Sequence, residues 1–276
     1  MSAPRFYLDQ QLAPGAHFSL PPGPARHAAR ALRLAVDDTV ILFNGQGGEY
    51  TARIERIQKD EVAVSVTGFA AIERESRLRV MLAQGISSGE RMDYTLQKAV
   101  ELGVTAIQPI AAKRSVVKLA GERADRRVAH WQGVVASACE QCGRNQVPPV
   151  AAPLTLAHWL GLTNFHGLQP VESRRSLGHT TPHALQPVES RRSLGQQKGG
   201  RLLFLSPLAE ARLADLPAPT AADCLVAGPE GGFEADEIAA LHAAGAIPVR
   251  LGPRVLRTET AALAALAAMQ TLWGDF

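Results

Sequence analysis

The chain has 276 residues, of which 46% are hydrophobic and 20% charged, so it can build a real core and is not a disordered polymer. A net charge of +3 and 5% aromatic residues argue against a DNA-coating protein or a base-stacking platform. There is no apolar run long enough to span a bilayer, the N-terminal residues lack a secretory apolar region, and three cysteines cannot all pair; a reduced, cytoplasmic protein is expected.

The small net charge hides a split. Residues 1–200 carry a net +7 and residues 201–276 a net −4. The densest basic stretch is Lys113, Arg114, Lys118, Arg123, Arg126 and Arg127, which reads either as a phosphate-contacting surface or as a solvated helix face.

In chain order, residues 5–9 and 17–20 read as short strands. Residues 24–34 read as a helix, with Pro24 in its first turn and Ala28, Ala29 and Ala31 favouring it. On a regular helix Arg26, Arg30 and Arg33 share one face, suited to RNA phosphates or simply to water. A β-rich run at 39–43, a glycine-rich turn at 44–48 and alternating strands at 50–57 and 62–66 complete a small antiparallel sheet or barrel. The charged run 72–77 marks the join between a first domain, 1–72, and a second, 73–276.

The pattern then changes. Strands are expected at 78–83, 106–110, 201–205, 224–227 and 247–251, and helices at 89–102, 123–142, 234–244 and 258–273. Strands alternating with helices imply a parallel α/β sheet. One segment stands apart: residues 168–178 recur letter for letter as 185–195. Two copies are too few for a solenoid, so 161–200 reads as a duplicated, mobile surface loop, or else as a basic arm reaching RNA.

Two glycine-rich stretches follow predicted strands: Gly228-Pro229-Glu230-Gly231-Gly232 and Leu251-Gly252-Pro253-Arg254-Val255-Leu256-Arg257-Thr258-Glu259-Thr260. Ligands of parallel sheets bind beyond the carboxyl ends of strands. Neither stretch is a dinucleotide fingerprint or a Walker A loop. Cys139 and Cys142 form a CxxC at a helix end with no second ligand pair at zinc spacing, so no metal site is expected.

Four ordered motifs, residues 90–103, Ala138-Cys139-Glu140-Gln141-Cys142-Gly143-Arg144-Asn145, Gly228–Gly232 and Leu251–Thr260, make the chain similar to the RsmE family. These are SPOUT-class methyltransferases acting on N3 of a uridine in 16S ribosomal RNA. The resemblance implies a PUA-like RNA-binding β-barrel followed by an α/β SPOUT domain with a C-terminal trefoil knot, S-adenosyl-L-methionine as cofactor, a homodimer whose active site uses both subunits, and 16S rRNA or the small ribosomal subunit as partner. Matching cofactor positions are Leu205, Ser206, Gly228, Pro229, Glu230, Gly231, Gly232, Leu251, Gly252, Leu256, Arg257 and Thr258. N3 methylation calls for a base and for a cation near the developing charge. Glu140, Glu230 and Glu259 are candidates for the base, with Glu259 equally suited to favouring a helix start, and Arg144, Arg254 and Arg257 for the cation or for phosphate contacts. Arg26, Arg30, Arg33, Lys113 and Arg114 are the expected RNA contacts. The alternatives are a 2′-O-ribose methyltransferase, which also uses a knotted fold, and a PUA-like assembly factor without catalysis.

Overall fold

The computed structural model describes residues 3–59, 61–117, 119–162 and 200–276. The duplicated segment, expected as a mobile loop, lies outside the described residues.

The first 70 residues form a five-stranded sheet of β1 (Arg5–Tyr7), β2 (His17–Ser19), β3 (Thr39–Phe43), β4 (Glu49–Gln58) and β5 (Glu61–Ala70), in the order β1-β3-β4-β5-β2. The sheet is mixed and not purely antiparallel, because β1 lies parallel to β3. Alternation in β4 and β5 puts Ala52, Ile54, Val62, Val64 and Val66 into a core closed by Phe6, Leu42 and Ala28.

The helix expected at 24–34 is irregular. Helix α1 spans Pro22–Arg26, a π-helical turn follows at His27–Ala31, and Arg33 lies beyond it with φ of 53°. The four-and-three spacing of Arg26, Arg30 and Arg33 therefore does not define the face of one regular α-helix. All three remain exposed.

The second sheet is wholly parallel: β6 (Val80–Gly85), β7 (Ala106–Ile110), β8 (Leu202–Leu205), β9 (Asp223–Ala227) and β10 (Ile247–Val249), in the order β10-β8-β9-β6-β7. Strand β6 is buried along its length, as a central strand covered on both faces must be. Val80 and Leu82 face a core shared with α2 (Glu90–Glu101), α3 (Glu122–Cys142) and α6 (Thr258–Trp273). Met81 and Ala83 face the other side, covered by α4 (Leu156–Leu162) and α5 (Ala235–Ala243). Helix α4 was not evident from the sequence: Leu156 and Trp159 bury it, but seven residues give little periodicity to read. Among the described residues no helix is long and apolar enough to cross a membrane.

The two sheets are joined by a buried polar network. Arg5 bridges Glu49, at 2.6 Å, and Asn145 Oδ1, at 2.5 Å, while Arg74 also pairs with Glu49 at 3.0 Å. Asn145 Nδ2 donates to the Ile72 carbonyl at 2.6 Å, and Phe43 from the first sheet packs into the core of the second. Burial alone pushes the Glu49 carboxyl up, but the bonds from Arg74, Arg5 and Asn145 outweigh it and hold it below the usual range.

Arg144 and Glu140 belong to this joint. Arg144 donates to the Val100 and Val104 carbonyls, at 2.9 and 2.8 Å, and pairs with Glu75 in a two-pronged contact. Every prong of its guanidinium is bound to protein, and its side chain is only 5% exposed. Glu140 accepts the Tyr7 N–H at 2.8 Å, which fixes β1 to α3. Burial pushes its carboxyl up, and the Tyr7 bond opposes that only in part. The expectation that Arg144 supplies a catalytic cation and Glu140 a base meets this geometry: Glu140 ties β1 to α3, and the Arg144 side chain ties the connecting segment, at Glu75, to the Val100 and Val104 carbonyls.

Removing one member of a buried ion pair strands the other's charge. Arg144→Met should therefore cost about 3–5 kcal/mol in urea unfolding, and Arg144→Met with Glu75→Gln should recover part of that loss. Equal losses in the single and double variants would contradict the pairing.

Candidate functional site

In a parallel sheet all carboxyl ends lie along one edge, and four of the five loops on that edge concern the glycine-rich stretches. They follow β6 at 86–89, β8 at 206–212, β9 at 228–234 and β10 at 250–257. Register brings their roots together: Gln84 is paired with Ala227, Gly85 with Ile110, and Leu205 with Val249.

Gly228 and Pro229 cross directly over the end of β6. A Cβ added to Gly85 would stand 2.3 Å from the Pro229 nitrogen and 2.6 Å from its Cδ, so only glycine permits the crossing. Gly252 has φ of 117°, in the region that favours glycine, and a Cβ there would meet nothing within 4 Å. The last loop is thus bent by a residue whose missing side chain leaves open space.

The loops are tied at their roots. Thr258 Oγ1 donates to the Gly228 carbonyl at 2.5 Å and accepts from Gln84 Nε2 at 3.0 Å. Gln84 Nε2 also donates to the Gly85 carbonyl at 3.0 Å, while Gln84 Oε1, fully buried, has no partner among the described residues.

Glu230 reaches back to the loop after β6. One of its oxygens accepts from Ser88 N at 3.0 Å, Ser88 Oγ at 3.1 Å and Arg91 Nη1 at 3.3 Å. Burial pushes its carboxyl up, but these donors overcome that and hold it below the usual range. An ionised carboxylate stabilised in this way is a poor proton acceptor. Glu230 acts as a latch between two loops, which is a different use from the base considered for it.

Arg257 is exposed and occupies the residue before α6. Glu259 lies in the first turn of α6, where its charge favours the helix start, and its Oε2 is buried without a partner among the described residues. Arg254 is exposed on the same loop. Leu205, Ser206, Leu251 and Leu256 are half-buried at the roots or along the loops, with Ser206 N donating to the Val249 carbonyl at 3.0 Å.

Lys113 and Arg114 are half-exposed but face carboxylates. Lys113 pairs with Asp236 and donates its N–H to Glu237 at 3.0 Å; Arg114 lies 3.6 Å from Glu234 and donates to the Gly231 carbonyl at 3.3 Å. Their charge is thus partly neutralised, and they brace the β9 loop against the start of α5. Two cations of the basic stretch thus lie against acids of the final quarter. Cys139 is buried, and that burial raises its thiol to about 12, which leaves it inert as a thiolate.

The sequence reading missed Gln84, Gly85, Ser88 and Arg91. One signal was present: a glutamine followed by glycine at the end of the apolar strand Val80–Gly85.

A parallel α/β domain with glycine loops gathered at one edge, attached to a small mixed sheet, defines a class. Residues 74–170 and 173–270 match the RNA methyltransferase domain family, and residues 25–67 match the RNA methyltransferase PUA domain. The structure is similar to a ribosomal RNA small subunit methyltransferase E from Neisseria gonorrhoeae solved with S-adenosyl methionine bound, with 39% identity, a TM-score of 0.80 and full coverage of both chains. It is also similar to a Legionella pneumophila protein solved with the same cofactor, with 34% identity, a TM-score of 0.85 and full coverage of both. In sequence, ribosomal RNA small subunit methyltransferase E of Mycobacterium bovis is 31% identical across 99% of this chain and 93% of its own length. The chain belongs to the ribosomal RNA small subunit methyltransferase E family.

Two outcomes follow. Gly85→Ala should displace the Gly228–Pro229 crossing and abolish cofactor binding measured by calorimetry; retained affinity would contradict the close approach. The Glu230 latch has a carboxyl lowered by folding, so its stabilisation is complete above the unfolded value of about 4.3 and is lost as pH falls through the lower folded value. The wild-type stability curve should therefore drop more than that of Glu230→Gln below about pH 4; parallel curves would contradict the latch.

Proposed function

We propose that this enzyme, an S-adenosylmethionine-dependent methyltransferase of small-subunit ribosomal RNA, places its methyl group on N3 of a uridine. The observation that carries this reading is the joining of the β6, β9 and β10 loops at one sheet edge, within a family of rRNA methyltransferases. The loops fit the cofactor: backbone groups at Leu205, Ser206, Gly228–Gly232, Leu251, Gly252, Leu256 and Thr258 can read a neutral purine edge, and Gly252 leaves room beside them. When bound, S-adenosylmethionine supplies an electrophilic methyl group on a sulfonium.

The chain's part is positioning, deprotonation and charge stabilisation. N3 lies on the Watson–Crick edge, so the uridine must be unpaired or flipped out. Its proton must leave before N3 becomes a nucleophile. Once Glu140 is committed to the joint and Glu230 to the latch, Glu259 is the candidate carboxylate left for the base, with an oxygen that has no partner among the described residues. Arg257, one residue away and exposed, suits the negative charge that collects on O2 or O4. Exposed Arg26, Arg30 and Arg33 on the first domain, which we divide from the second near residue 72, suit phosphates.

The enzyme is further proposed to act in the cytoplasm as a homodimer with a trefoil knot. Apolar surface at Tyr94 on α2 and Leu272 on α6 supports dimerisation, and the knot is proposed on the likeness to the family alone. Membership in this family favours N3 chemistry over a ribose methyltransferase or a non-catalytic binder.

Incubation with labelled S-adenosylmethionine and small subunits, followed by nucleoside mass spectrometry, should find 3-methyluridine. A label on ribose, or none on any subunit or RNA, would overturn the reading. Glu259→Gln should lower kcat by about 10²–10⁴-fold, as loss of a general base does; an unchanged kcat would remove Glu259 from that role.

A further inference from the structure

Gln84 is the only fully buried amide at the roots of these loops among the described residues, and neither its place in the core nor methyl transfer explains it. Its orientation is fixed by its surroundings. Nε2 meets two acceptors, the Gly85 carbonyl and Thr258 Oγ1, each at 3.0 Å. Turning the amide over would set Oε1 against the Gly85 carbonyl oxygen, acceptor against acceptor. In the fixed orientation the hydrogen bonds run one way: the Gln84 amide donates to the Thr258 hydroxyl, which donates to the Gly228 carbonyl. The hydroxyl's proton is therefore directed to Gly228, because its acceptor side is already engaged.

The arrangement leaves Gln84 Oε1 buried without a partner among the described residues. Burying an unpaired polar oxygen is unfavourable, and a methionine of similar size would fill the place without it. The donor end therefore accounts for the residue. Val80, Leu82 and Gln84 alternate toward the same face of β6, the face on which α6 lies, so Gln84 is the strand position from which the first residue of α6 is reached.

We propose that Gln84 is a positioning residue for the cofactor loops: through Thr258 it orients the Gly228 peptide and so presets Gly228–Gly232 for the cofactor. It need not touch the cofactor to do so. The relay connects the end of β6, the β9 loop and the start of α6, three segments distant in sequence. A loop already ordered before the cofactor arrives loses less freedom on binding, which raises affinity.

This inference rests on the cofactor reading above, and its test separates the two. Affinity for S-adenosylmethionine is measured by calorimetry, and exchange of the Gly228, Glu230, Gly231 and Gly232 amides by hydrogen–deuterium exchange in the cofactor-free protein. Gln84→Met should weaken affinity about 5- to 30-fold, as expected for one or two lost hydrogen bonds, and speed exchange in that loop while its neighbours stay protected. Thr258→Val should do the same, and Thr258→Ser should restore wild-type behaviour. Gln84→Met combined with Thr258→Val should be no worse than either alone, because both break one relay. Undiminished affinity in Gln84→Met, or losses that multiply in the double variant, would overturn the relay. A wild-type chain that binds no S-adenosylmethionine would instead overturn the cofactor reading beneath it.

Discussion

The site depends on the crossing of Gly228–Pro229 over the end of β6. A side chain at position 85 would collide with the proline, so the β9 loop can reach across the sheet only because that residue is glycine. The crossing brings Glu230 within reach of Ser88 and Arg91, and Gly228 within reach of Thr258. Two loops from adjacent strands and the start of the last helix thereby become one surface. The loops hold a shape through the Gln84–Thr258–Gly228 bonds and the ionised Glu230 latch to Ser88 and Arg91.

A second constraint operates about the joint between the two sheets. Arg5, Glu49, Asn145 and Arg74 form ion pairs and hydrogen bonds that would be unfavourable if any partner were missing, and the Arg144–Glu75 pair holds the connecting segment beside them. Glu140 adds the backbone of β1 to this network. A domain that contacts RNA is useful to a methyltransferase only if it holds the target at a set distance from the methyl group. A joint of charged groups with mutually specific geometry gives that fixed relation, where a purely apolar contact could slide.

Much of the architecture was legible because periodicity is a physical signal. Alternation in β4 and β5 and the apolar runs of β6 and β9 show what each face is packed against. The glycine stretches were legible as loops at strand ends. What the sequence did not show was partnership. Arg144 and Lys113 read as available cations, yet one is bound to Glu75 and the other to Asp236, 123 residues away. Charge type is visible in a sequence, but the acid that will lie beside it is not. Arg26, Arg30 and Arg33 do not lie on one regular α-helix because it changes to a π-turn at His27, a backbone event without a strong residue signature. Gln84 was missed for the converse reason: one polar residue in an apolar strand makes no pattern, and its meaning appears only when the strand end meets Thr258.

We propose that the cofactor lies at the sheet edge where the β6, β8, β9 and β10 loops meet, while Glu140 and Asn145 serve the joint and Arg144 stays on Glu75. A crystal structure of the chain with S-adenosylmethionine tests both halves at once. The account predicts a cofactor contacting the backbone of Leu205–Ser206, Gly228–Gly232 and Leu251–Thr258, with Arg144 still paired to Glu75. A cofactor held against Glu140 and Arg144, with the Glu75 pair broken, would contradict it.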